Sequence, residues 1–327
     1  MSGLQAARAV CGEPVRVFGE PAWLRAAAAT HEARASSGPV YVDRPDEMVL
    51  RAPYAMDGVR LDSFALRADE AKLQALVHRY LEAPTRGALR YEVAAPFVFL
   101  VSAFTARVSS LDPDHARRGG MPEVDVSLWI PIFSHASGEA RLSWFLPYVF
   151  VDSGAAMAAG REIFGFAKSV VDVDATRDEE ATLTGLHVRG PVLARYAPDA
   201  TVERRTLVSA AKKKVGPAFE LAPGVRDFFA KRFVDATMNL VFLKQFRQAG
   251  EGGRASYQAI VEAEAKVSTM RSWRPITTPY EVTVCDFDSH PLAAELGLPA
   301  APVTTAFGVA ADMDFVMHGG REVFRAT

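Results

Sequence analysis

Residues Leu146–Val171 read LPYVFVDSGAAMAAGREIFGFAKSVV. The run Tyr148–Val151 is aromatic and β-branched, the composition of a strand. After Asp152, Ser153 is placed to cap a short helix of small residues that runs on to Glu162. Lys168 follows, flanked by Ile163, Phe164, Phe166, Ala167, Val170 and Val171. A lysine at the start of a strand is ordinarily solvated. Among aromatic and aliphatic side chains its ammonium is expensive to bury. Desolvation favours the neutral amine. A neutral amine attacks ketones and aldehydes to give a Schiff base. Lys168 is therefore the first candidate for chemistry.

Outward from this stretch the chain reads mostly as strands and turns. Tyr91–Ser110 is long, aromatic and β-branched, and predicts a central strand. Glu123–Phe133 alternates as a strand after a polar loop over Leu111–Pro122. Further strands are predicted at Ala140–Val151, Lys168–Asp174, Ala181–Arg189, Val192–Tyr196, Met238–Phe246, Ser256–Met270, Tyr280–Phe287 and Thr304–Phe315. Helices are predicted at Gly224–Phe233 and Pro291–Leu296. The class is α+β, mainly antiparallel β with a few appended helices. Residues 1–45 differ in composition, with an Ala-rich helix predicted over Trp23–Ala35, and read as an N-terminal arm before a main domain over 46–327.

Composition narrows the function. The chain has 327 residues, is 49% hydrophobic and carries a net charge of −2, so no basic field points to nucleic acid or an anionic membrane. No apolar run reaches the roughly 18–20 residues of a membrane-spanning helix. The N-terminus has no apolar core of a secretory signal, and Cys11 and Cys285 make no disulfide framework, so a cytoplasmic location is expected. The seven histidines show no metal-binding spacing. Gly250–Gly253 reads as a hairpin turn, Ser153 lacks the frame of an esterase elbow, and no G-x-G-x-x-G marks a nicotinamide site.

The segment resembles the acetoacetate decarboxylase superfamily, in which an aromatic strand ending in Tyr-x-Asp leads through a small-residue helix to Gly-Arg-Glu and then a lysine. Here these are Tyr148–Asp152, Gly160–Glu162 and Lys168. Weaker echoes are Ile130–Pro131, Asn239–Phe246 and Tyr257–Glu262, and the likeness spans about Ala52 to Phe315. The resemblance implies a closed β-barrel-like core around an apolar cavity, an inward-pointing Lys168, a homo-oligomer, and no metal, pyridoxal or nicotinamide cofactor. It puts an acid on the strand ending in Ile-Pro, at Asp125, with Glu123 on the same strand face. It puts a second carboxylate at or near Val101, where this chain has none. An arginine for the substrate carboxylate falls at Val59 by a gap-free count, with Arg60 beside it. Ser169 replaces a second lysine and Ala167 a proline. Tyr148, Phe150, Phe164, Phe166 and Ser169 are expected to line the substrate site.

The leading expectation is a Schiff-base lyase that decarboxylates a keto acid or acts on a related carbonyl compound. An aldolase or dehydratase using the same lysine, and a non-catalytic binder of a small hydrophobic ligand, stand as alternatives.

Overall fold

Strand β1, Tyr54–Arg67, is buried on both faces over most of its length. Val59, Leu61 and Ala65 enter one apolar cluster, and Phe64 and Leu66 enter another. Side chains of opposite parity leave a strand on opposite faces, so β1 separates two cores. The computed structural model describes residues 40–44, 48–136, 138–213 and 237–326. The helices expected over Trp23–Ala35 and Gly224–Phe233, and most of the arm expected over 1–45, lie outside the described residues.

After β1 come helix α1 (Glu70–Val77), β2 (Tyr91–Val93), β3 (Phe97–Ser110), β4 (Gly120–Ser134), β5 (Arg141–Val151), helix α2 (Gly154–Ala159) and β6 (Lys168–Val170). They are followed by β7 (Asp172–Arg177), β8 (Leu183–Val192), β9 (Glu203–Lys212), β10 (Thr237–Arg247), β11 (Ala255–Ile276) and β12 (Tyr280–Val284). The short strands β13 (Asp286–Phe287) and β14 (His290–Pro291) pair with each other. Helix α3 (Leu292–Leu296), β15 (Val303–Thr304), β16 (Phe307–Met317) and β17 (Arg321–Arg325) complete the order.

Strands β4, β3, β1, β16, β11, β10 and β5 pair in that order, and β5 also pairs with β4, so the path is ring-like. Most of its pairings are antiparallel; β5 runs parallel to both β10 and β6. A second sheet has the order β15-β12-β9-β8-β7. The described chain is thus mostly strand with few helices. None of the described helices is long and apolar enough to cross a membrane.

One cluster collects Leu61, Phe99, Trp144 and Phe242 from the strands of the ring. The other collects Phe64, Leu100 and Ile130 from opposite-parity positions, with Tyr280 and Leu186 of the second sheet and Leu73 of α1. The rings of Phe64 and Tyr280 stand 4.4 Å apart across this contact. Arg177 of β7 reaches the buried carboxylate of Asp62 on β1 at 2.6 Å. Helix α1 begins where Asp69 accepts hydrogen bonds from the amides of Ala71 and Lys72.

Two predicted strands are divided. Tyr91–Ser110 breaks at Ala94–Pro96, where the proline has no amide to give the ladder. Lys168–Asp174 breaks at Val171: β6 pairs with β5, and β7 belongs to the second sheet. Val192 closes β8, so no separate strand runs from Val192 to Tyr196. Strands β1, β9 and β17 and helix α1 went unread in the sequence.

Candidate active site

Lys168 begins β6, opposite Val149 of β5. Val149 in turn faces Ser127 of β4, and Val151 faces Asp125. Glu123, Asp125 and Ser127 alternate along β4 and share one face. The lysine stem crosses this face, and Nζ lies 2.6 Å from Glu123 Oε1 and 3.8 Å from Asp125 Oδ2. Lys168 and Glu123 are each only 7% exposed. The three residues singled out for catalysis therefore meet.

The path of the lysine depends on one glycine. Ser153 Oγ caps α2 through the amide of Ala156. The helix then widens at Gly160–Phe164, where the Gly165 amide bonds five residues back to the Gly160 carbonyl. A Cβ on Gly160 would sit 2.6 Å from Lys168 Cδ and 2.9 Å from Cε. Hydrogen in place of a side chain lets the lysine pass. Gly165 reverses the chain at φ +93°, and a Cβ there would meet the Lys244 backbone at 2.6 Å.

Lys168 lines a cavity of about 130 Å³. Its wall is largely apolar, with Leu61, Val101, Trp129, Leu146, Leu240 and Met317 among its members. Phe164 and Phe166 line it as expected, and Nζ stands 5.2 Å from the Phe166 ring centre. Glu123 and Asp125 supply its carboxylates, and Lys168 its single cation among the described residues. Burial pushes the Asp125 carboxyl up to about 6; Lys168 opposes this and Glu123 adds to it. Tyr54 is a lining residue that the sequence reading missed. Its hydroxyl donates to the Leu50 carbonyl, and burial raises the phenol pKa, with Glu123 and Glu162 adding. Thr105 and Ser127 were missed as well, and Gly160 was read only as part of the Gly-Arg-Glu motif; Ser127 accepts from the Trp129 indole at 2.7 Å. The alternation of Glu123–Trp129 was the available signal for Ser127 and Trp129.

Four expected site residues are placed elsewhere. Tyr148 and Phe150 have the opposite parity to Val149, so they leave β5 on the other face. Phe150 is buried in the core shared with the second sheet, and the Tyr148 hydroxyl donates to Glu295 at 2.5 Å. Ser169 alternates with Lys168 and, with Tyr148 and Arg161, lines a separate pocket of about 320 Å³. A residue at 169 thus faces away from the lysine cavity. Arg60 is exposed and pairs with Asp312 at 3.3 Å. A bulge at Asp57–Gly58 sets the register so that Val59 and Leu61 turn toward the cavity-side core and Arg60 outward. Val101, where the resemblance put a second carboxylate, does line the cavity.

No family model matches the sequence, and no curated protein matches it. Solved structures do. An acetoacetate decarboxylase from Legionella pneumophila is similar over 89% of this chain and 94% of its own, at 13% identity and a TM-score of 0.58. The enduracididine biosynthesis enzyme MppR complexed with pyruvate is similar over 88% of this chain and 99% of its own, at 15% identity and TM-score 0.53. An acetoacetate decarboxylase-like enzyme from Sphingomonas wittichii RW1 covers 88% of this chain and 98% of its own, at 16% identity and TM-score 0.53. With its ring-like path of strands and its likeness to these solved structures, this chain has the acetoacetate decarboxylase fold, in a divergent form.

Proposed function

We propose that the protein is a cofactor-independent lyase that acts on a carbonyl compound through a Schiff base on Lys168, inside a ring of strands read as a closed barrel around the apolar cavity. The observation that carries this reading is the meeting of a buried primary amine with two carboxylates in one apolar cavity. Glu123 at 2.6 Å is placed to take the ammonium proton and free the amine. Nζ then attacks the carbonyl carbon. The carbinolamine loses water with a proton from a carboxylic acid, and a cationic iminium remains.

The iminium draws the electron pair of a bond at the adjacent carbon. Carbon dioxide leaves if that carbon bears a carboxylate; if it bears a hydroxyalkyl arm, an aldehyde leaves as a carboxylate of the Glu123–Asp125 face takes the hydroxyl proton. Either way an enamine forms, takes a proton at carbon, and water returns the ketone and the amine. Asp125, pushed up to about 6, suits proton transfer near neutral pH.

Borohydride reduction tests the proposal. With a panel of small ketones and aldehydes, one reduced adduct on the Lys168 peptide is expected. Adducts spread over many lysines, or none with any compound, overturn it and leave passive binding of an apolar ligand as the better account.

A further inference from the structure

The wall of the lysine cavity says what kind of carbonyl compound fits. A keto acid brings a carboxylate, which needs a cation or a set of donors where it is buried. Among the described lining residues the only cation is Lys168, which is consumed as the reacting group and already faces Glu123 and Asp125. Arg60 is turned outward onto Asp312, and Arg161 lines the other pocket, where its guanidinium donates to the Lys168 carbonyl at 3.4 Å. An iminium at Lys168 keeps one positive charge, and the two acids Glu123 and Asp125 already face it. A substrate carboxylate would add a third acidic group to that one cation.

The rest of the wall is soft and apolar. Five of the nine methionines in the chain line it: Met48, Met56, Met121, Met238 and Met317. Methionine is unbranched and polarisable and adjusts to irregular apolar shapes. At about 130 Å³ the space is close to that of an engineered apolar cavity of roughly 150 Å³ in another protein, which binds benzene.

We infer that the cavity selects a neutral ketone or aldehyde with short apolar arms and disfavours carboxylate-bearing keto acids, an inference that rests on the iminium chemistry proposed for Lys168. With such a substrate the first bond to yield is Cα–H. The proton passes to a carboxylate of the Glu123–Asp125 face. The C–H electron pair becomes the C=C bond of the enamine, and the iminium nitrogen recovers its own pair. The enamine is then a carbon nucleophile toward a second carbonyl, or takes a proton back.

The test compares 2-pentanone with acetoacetate, which has a similar skeleton but carries a carboxylate. Each is reduced onto the protein with borohydride, and the yield at Lys168 is divided by the yield on free N-acetyl-lysine under the same conditions. The expected result is at least a tenfold preference for 2-pentanone, with exchange of its α-hydrogens in deuterium oxide faster than in buffer. Equal or greater labelling of Lys168 by acetoacetate overturns the substrate class while the Schiff base stands. Labelling by 2-pentanone without exchange above the buffer rate overturns the enamine step. Absence of labelling by both removes the Schiff base itself and the inference with it.

Discussion

Replacing Asp125 by asparagine should change how stability depends on pH. Burial raises the folded-state carboxyl from 3.8 to about 6, so the folded protein holds this proton more tightly than the unfolded chain. Between those values unfolding releases a proton, and stability falls as pH rises through the window. A rise from 3.8 to about 6 corresponds to about 3 kcal/mol at about 1.4 kcal/mol per pH unit. About 2 kcal/mol of this develops between pH 4.5 and 7.5, and the remainder at lower pH, where the unfolded carboxyl begins to take up its own proton. The amide of the Asp125→Asn variant cannot titrate, so the variant escapes that loss. Urea unfolding of both proteins across this range should show the variant gaining about 2 kcal/mol on the natural protein as pH rises. The gap should then stay flat above about pH 7.5. Any packing cost of the amide is constant with pH and cancels in the trend. A gap that does not move with pH, or that closes as pH rises, would refute the assignment of a raised Asp125 in this cavity.

Three further outcomes are expected. Gly160→Ala gains about 1 kcal/mol of helix propensity against about 1–3 kcal/mol of overpacking on the lysine stem, so melting should move little while borohydride trapping at Lys168 falls at least about tenfold. Gly165→Ala should melt lower than Gly160→Ala, because its Cβ meets backbone of Lys244, which cannot move aside as a lysine stem can. Arg177→Met should cost about 3–5 kcal/mol by leaving Asp62 buried and unpaired, and adding Asp62→Asn should recover most of it, both read by chemical denaturation.

The proposed catalytic set was legible partly from local spacing and partly from the family resemblance. Lys168 stood out by its neighbours, Asp125 was placed by the resemblance, and Glu123 shares its face by the two-residue period of a strand. The same period also separates Tyr148 and Phe150 from Val149, and Ser169 from Lys168. Aromatic content alone could not say which face of β5 looks into the cavity, because both faces are buried in different cores. Arg60 turned on a bulge, which a residue count does not contain. Leu240 and Met317 come from distant strands, and only the pairing order brings them to the lysine. Helix α1 was obscured by its setting. It is eight residues long, and its start signal, Asp69, lies in a region otherwise read as strands and turns.

The Lys168–Glu123 pair is difficult to explain as a device for holding the fold. Its two charges are withdrawn from water into an apolar wall, and such pairs often stabilise a protein no better than hydrophobic residues of similar volume. Lys168→Met alone should cost about 3–5 kcal/mol, since Glu123 is then buried without its partner. Lys168→Met with Glu123→Leu should be as stable as the natural protein, or up to about 4 kcal/mol more so. Stability equal to or above the natural protein, together with loss of the reduced adduct, would separate the pair from the fold and leave chemistry as its role. A double variant that stays several kcal/mol below the natural protein would instead make the pair structural. The cavity would then read as a binding pocket that happens to contain a lysine.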